Sequence, residues 1–193
     1  MMHEIKDSPF ENVIEEYPDC VVDFCILKSD EHCCGLDAHR EAIAFAMRKF
    51  LGYPTGEGDE KQEDVEPWGN FDVQSASARQ IDANAFLSLP EPVRVCVDGK
   101  STTTYKKQTD GGEIPYWEAF LLPPDGIEYA GADFRKVNNV LFPTGAGSLT
   151  VYQWTTDWSD YFNDGREWWG TACFSVYDAA EDRYVVIMAS ATD

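Results

Sequence analysis

The chain has few basic residues. Lysine and arginine total 15 against 35 aspartates and glutamates, so the 193 residues carry a formal net charge of −20 at pH 7. A field this negative repels nucleic acid and acidic membrane surfaces and attracts basic partners. We therefore expect no direct binding to nucleic acid, no membrane association and, if a macromolecule is bound, a basic protein as the partner.

Long apolar runs are also missing. No stretch approaches the roughly 20 apolar residues that span a bilayer. The first 19 residues lack the basic start and apolar run of a secretory signal. These features predict a cytoplasmic protein, in which cysteines are reduced thiols rather than a disulfide framework. The six cysteines are Cys20, Cys25, Cys33, Cys34, Cys96 and Cys173.

The common catalytic motifs are absent. There is no Gly-x-Ser-x-Gly elbow and no glycine-rich phosphate loop ending in Lys-Ser/Thr. Residues 145–148 (GAGS) precede a predicted strand, whereas a phosphate cradle precedes a helix, so they indicate a turn. Only three histidines could serve as a base. No residue is assigned a catalytic role, and an enzyme would need a site assembled from distant residues.

Metal-binding residue types are present, but their spacing is wrong. Zinc sites pair Cys or His two to four residues apart on a tight knuckle. The Cys and His residues between positions 20 and 39 do not follow this pattern. Asp157, Asp160 and Asp164 do not follow the ligand spacing of a calcium loop. We therefore predict no metal and no cofactor. Sequence leaves open whether Cys20, Cys25, His32, Cys33 and Cys34 meet in space.

The composition does indicate a folded protein. Apolar residues make up 44% and aromatic residues 13% of the chain, whereas acidic disordered proteins are poor in aromatics. The length suits one domain covering residues 1–193. Within residues 57–66 six acids stand beside one base, Lys61. Such a segment cannot pack against itself, and it predicts a mobile acidic loop at about residues 55–67.

Two patterns predict helices. A helix is predicted over residues 37–51, with one apolar stripe formed by Ile43, Met47, Phe50 and Leu51. Asp37 is the expected N-cap and Gly52 the expected stop. The arginines and the lysine of this helix are expected to face water. A shorter helix is predicted within residues 131–142 and ends before a proline. The apolar run at 20–27 fits either a buried strand or the end of a helix.

Strand patterns dominate later in the chain. Alternation predicts a hairpin over residues 93–107, a strand at 148–155 and a second hairpin from 171–178 and 183–190. The last arm is almost continuously apolar and should be a central strand. The expected fold class is α+β: an N-terminal helix packed on a mostly antiparallel sheet that is formed largely by the C-terminal half.

The most unusual segment is 154–169, WTTDWSDYFNDGREWW, which holds four of the six tryptophans. Aromatic rings beside carboxylates suit cationic groups, sugar faces or a protein hot spot. Trp158 and Tyr161 could form a small apolar platform rimmed by acids, while at least one of Trp168 and Trp169 should be core. The candidate binding residues are Trp154, Asp157, Trp158, Asp160, Tyr161 and Asp164.

These observations favour an acidic binding or inhibitory protein that docks a basic protein partner. By composition alone the chain resembles immunity proteins against nuclease toxins and proteins that imitate DNA. The alternatives are an enzyme with a site assembled from distant residues, and a small-ligand or carbohydrate-binding module that uses residues 154–169. Residues 94–107 carry a local net charge of +3 and are interpreted as an internal electrostatic partner of the acidic regions.

Overall fold

A six-stranded antiparallel sheet runs through the centre of the protein. The computed structural model describes residues 1–31, 34–55, 66–97, 100–108 and 111–191. The strand order is β1-β2-β8-β7-β6-β3. These strands are β1 (Met2–Glu4), β2 (Val22–Ser29), β3 (Ala78–Ile81), β6 (Leu149–Trp154), β7 (Ala172–Asp178) and β8 (Arg183–Ala189). A separate two-stranded sheet pairs β4 (Val93–Val97) with β5 (Lys100–Thr104).

Helices cover both faces of the sheet. They are α1 (Ser8–Ile14), α2 (Leu36–Leu51), α3 (Ala83–Leu87), α4 (Tyr116–Leu121), α5 (Gly131–Leu141) and α6 (Asn163–Trp168). Helix α2 packs on β7 and β8 on one face, and α1, α3, α4 and α5 build the core on the other. The predicted α+β class, with an N-terminal helix on a mostly C-terminal antiparallel sheet, is confirmed.

Helix α2 follows its sequence pattern closely. Ile43, Met47 and Leu51 are fully buried, and Gly52 ends the helix in the left-handed conformation at φ 82°, which glycine adopts at no steric cost. The predicted start is slightly wrong, because Gly35 occupies the N-cap position and Asp37 lies in the first turn.

Strand β8 is the buried centre that its apolar run predicts. It pairs with β2 on one side and β7 on the other, and all seven of its residues are buried. The run at 20–27 lies largely in β2, so the strand interpretation is correct. The 93–104 hairpin and the 131–141 helix are confirmed as well.

Residues 56–65, which form most of the predicted acidic loop, lie outside the described residues. Across the described ranges, no helix combines the length and the apolar character needed to cross a membrane.

Candidate functional site

The Trp-rich segment is divided between the core and two different surfaces. Trp154 and Trp158 are buried, at 0% and 3% exposure. Trp154 donates its indole N–H to Ser175 Oγ at 2.8 Å, and Trp158 donates to the Thr155 carbonyl. The expectation that Trp158 contributes to an exposed platform is therefore wrong. Its ring packs edge-on against Phe162 and Phe71, where burial of a large ring is favourable.

Of the other candidate residues, Asp157, Asp160 and Asp164 are exposed and Tyr161 is half-buried, and the four do not form one group. Asp157 lies near Glu113, and its charge raises the pKa of that carboxyl group. Asp160 and Tyr161 face the loop at residues 68–72. Asp164 is in the first turn of α6. Among the residues that the structure describes, no three His, Cys, Asp or Glu side chains are grouped so that they could hold a metal ion.

The tail of the segment behaves as expected of a core anchor. Trp169 is 3% exposed and donates its indole N–H to the Leu122 carbonyl at 2.9 Å, while Trp168 is half-buried. The prediction that at least one of these two rings is core is confirmed.

A different tryptophan provides the exposed ring. Trp68 is 61% exposed, and its ring centroid lies 6.2 Å from that of Tyr161. Phe50 also stacks on Tyr161, with centroids 6.0 Å apart and planes 28° apart. We call this surface the Trp68 patch; it consists of Phe50, Trp68, Tyr161, Asp160 and Asp23.

The end of α2 holds Trp68 in place. The Trp68 backbone N–H donates to the Leu51 carbonyl at 3.2 Å, and its indole N–H donates to the Phe50 carbonyl at 3.0 Å. The only polar group of the ring is thus hydrogen-bonded, which fixes the ring plane, while much of the ring remains exposed to solvent. The carboxyl end of a helix also carries partial negative charge, and Arg48 and Lys49 stand in this last turn.

Asp160 ties the loop at residues 68–72 to the Trp-rich segment. Its carboxylate accepts hydrogen bonds from the Asn70 backbone N–H at 2.8 Å, the Asn70 side-chain amide at 3.3 Å and the Asn163 amide at 3.1 Å. The bonds from Asn70, led by the backbone N–H, lower the pKa of Asp160, so it is ionised at neutral pH. The patch therefore has a permanent negative charge beside its aromatic rings.

Asp23 adds a second carboxylate. Tyr161 donates its phenol proton to Asp23 Oδ2 at 2.5 Å, which sets the orientation of the ring. Burial, followed by the charge of Asp23, raises the pKa of Tyr161, so the phenol remains a donor at neutral pH. Asp23 belongs to β2 and Tyr161 to the short 3₁₀ helix Asp160–Phe162, 138 residues later, and only the tertiary fold brings them together.

Sequence reasoning missed Trp68 and Phe50. Trp68 stands between Pro67 and Gly69, directly after the acidic run. An aromatic residue in such a loop context, outside any apolar periodicity, was a signal for exposure. Phe50 was assigned to the apolar stripe of α2 and is half-buried, so part of its ring does serve the core.

A serine–histidine pair is present, but it lies in the core. His39 Nδ1 and Ser175 Oγ are 2.8 Å apart, and both residues are 0% exposed. Burial lowers the pKa of His39 to about 4, so the ring is neutral at pH 7. A nucleophile must reach its substrate, and no substrate reaches this pair in a closed core.

The cysteines give no cluster within the described chain. Cys25 and Cys173 are buried, Cys20 is half-buried, and Cys34 and Cys96 are exposed. Burial raises the pKa of Cys25 to about 12, so its thiol is protonated and behaves as a small apolar group. His32 and Cys33 lie outside the described residues.

Comparison of the chain with protein-family models, with curated proteins and with solved structures finds no match.

Proposed function

We propose that this protein binds a basic protein partner through the Trp68 patch and acts as a binding or inhibitory protein. The observation that carries the proposal is the Trp68 ring, 61% exposed, held at a fixed angle beside Tyr161 and the ionised Asp160. Contiguous exposed apolar surface marks interaction sites in soluble proteins, and tryptophan and tyrosine are enriched at interfaces.

The chemistry of the patch suits arginine or lysine. A cation over the face of tryptophan is attracted by the ring, and the contact strengthens when both groups leave water. Arginine has the additional advantage that its planar guanidinium stacks on a ring while donating to a carboxylate. Asp160, which precedes Tyr161 in the chain, and Asp23, which accepts its phenol proton, supply such carboxylates.

The net charge of −20 supports the same partner at longer range. An acidic surface steers a basic protein toward itself and raises the association rate, and salt weakens this effect because the screening length is about 8 Å at physiological ionic strength. The patch supplies short-range affinity, and the overall field supplies selection against acidic partners.

The proposal is tested by comparing Trp68→Ala with Ile127→Ala. Both side chains are exposed apolar groups, at 61% and 69%, but Ile127 lies outside the patch. Proteins captured from cell extract on the wild-type chain are identified, and their affinities for both variants are measured by calorimetry. We expect a basic partner that binds Trp68→Ala more weakly by about 2 kcal/mol, roughly 30-fold, as for an interface hot spot.

Two further readouts separate the alternatives. Affinity for Ile127→Ala should equal that of the wild type, and affinity for the wild type should fall as salt rises from low to physiological concentration. A partner that binds Trp68→Ala as tightly as the wild type would remove the patch from the interface. A Trp68-dependent ligand that is uncharged and indifferent to salt would favour the carbohydrate-binding alternative.

A further inference from the structure

Strand β3 leaves one edge of the main sheet without a described partner. It pairs with β6 alone, in the register Ala78 to Trp154, Arg79 to Gln153 and Gln80 to Tyr152. Just before it, the Thr155 N–H donates to the Ser77 carbonyl at 2.9 Å. Backbone groups in an antiparallel pair alternate in direction. The backbone groups of Ser77 face β6, so those of Arg79 face β6 too. The N–H and C=O of Ala78 and Gln80 therefore point outward.

An open cleft of about 320 Å³ lies against β3 and its partner strand β6. Arg79 faces Gln153 there and donates to its side-chain oxygen at 2.7 Å, which occupies part of the guanidinium. The cleft volume is at the lower end of the range for small-ligand sites and accommodates one long side chain. It is lined by Ser77, Ala78, Arg79, Glu113, Gln153, Trp154 and Thr155.

Two acidic and two basic groups act at the cleft. Glu113 and Arg79 line it, and the charges of Asp157 and Arg166 also act on Glu113. Partial burial and Asp157 raise the pKa of Glu113, and the nearby Arg79 and Arg166 offset this only in part. An ammonium or guanidinium group placed next to Glu113 would relieve this unfavourable environment.

We propose that β3 accepts an extended basic segment of a partner protein as an added strand, with one lysine or arginine side chain of that segment entering the cleft toward Glu113 and Asp157. In this mode of recognition backbone hydrogen bonds supply affinity, and pockets beside the strand supply selectivity for side chains. The outward backbone groups of Ala78 and Gln80 provide the bonds, and the net charge of −20 on the whole chain favours a basic segment. The site is separate from the Trp68 patch and does not depend on it.

A fluorescein-labelled, blocked peptide, Thr-Val-Lys-Val-Lys-Val-Thr, provides the probe, and the same peptide with glutamate in place of lysine is its control. Binding is measured by fluorescence anisotropy. The basic probe should bind the wild type, and the acidic probe should bind at least about tenfold more weakly, which corresponds to about 1.4 kcal/mol. Equal binding of the two probes would overturn the proposal.

Gln80 offers a matched pair of variants, because its side chain is exposed. Gln80→Pro removes an outward N–H that β6 does not use, and proline is tolerated at such edge positions. Gln80→Thr keeps the N–H. We expect Gln80→Pro to bind the basic probe about tenfold more weakly, because one backbone hydrogen bond is lost and the added strand can no longer approach as closely. Gln80→Thr should bind the probe like the wild type. Unchanged binding by Gln80→Pro, in a variant that keeps the wild-type melting temperature, would exclude strand addition.

Charge variants test the cleft itself. Glu113→Gln should reduce the preference for the basic over the acidic probe, whereas Glu181→Gln, the same change at an exposed turn, should not. Trp68→Ala should leave probe binding intact, so failure of this site and failure of the Trp68 patch are seen separately. A preference that survives Glu113→Gln would contradict the assignment of the cleft.

Discussion

Arg183, on the last strand of the sheet, donates a hydrogen bond to the carboxylate of Asp7, 176 residues earlier in the chain. Both side chains are about nine-tenths buried. Asp7 also caps α1 by accepting from the Phe10 N–H at 3.1 Å, and Arg183 donates to the Leu141 carbonyl at the end of α5 at 2.8 Å. One buried ion pair thus joins the first helix, the fifth helix and the central strand.

We expect Arg183→Leu to lower the free energy of unfolding by about 3 kcal/mol or more, because it leaves the Asp7 carboxylate buried without its partner. Urea denaturation measures the change. Asp7→Asn serves as the second arm of a double-mutant cycle. The double variant should be less destabilised than the sum of the two single variants, and simple additivity would show that the two groups do not interact.

Trp158 and Trp68 should respond in opposite ways to truncation. Trp158→Ala removes a buried ring and should cost about 3 to 5 kcal/mol of folding stability. Trp68→Ala removes an exposed ring and should change stability by only about 1 kcal/mol or less. Chemical denaturation of the two variants beside the wild type checks both values. A large loss of stability in Trp68→Ala would assign the ring a structural role and weaken its place in the proposed interface.

His39 should make the protein sensitive to acid. Its pKa is about 4 in the folded state and about 6.5 in the unfolded chain. Between these values the unfolded state binds the extra proton, so stability falls as the pH drops from 6.5 to 4, by roughly 3 kcal/mol from this group.

A neutral replacement isolates that contribution from the carboxylates, which titrate in the same range. His39→Gln should lose less stability than the wild type over this pH interval, although it is less stable at pH 7, where packing on Tyr152 and Tyr184 is lost. Stability curves measured at several pH values give the difference. Parallel pH profiles for the two proteins would show that the His39 ring takes up its proton near the ordinary pKa.

Helices and strands were predictable wherever one short stretch of sequence carries its own periodicity. The apolar stripe of α2 and the continuous apolar run of β8 are local patterns, and each specifies which side of its element is buried. Arg40 shows the limit of such patterns. It was expected to face water, but its guanidinium donates to the Ala76 carbonyl at 2.9 Å and lies 5.0 Å from the Trp154 ring centroid, because a distant loop covers that side of the helix.

Sequence by itself determined the α+β class, the order of most elements and the acidic charge, since these depend on composition and on neighbours along the chain. Only the tertiary structure decided which rings face solvent. The Asp72 N–H donates to the Trp158 carbonyl at 2.8 Å, and the Asp160 N–H donates to the Asn70 carbonyl at 2.9 Å. These bonds lay the loop of residues 68–72 over the Trp-rich segment, so Trp158 is covered and Trp68 is left at the surface. Exposure of a ring depends on what packs over it, and that partner lies some 90 residues away in the chain.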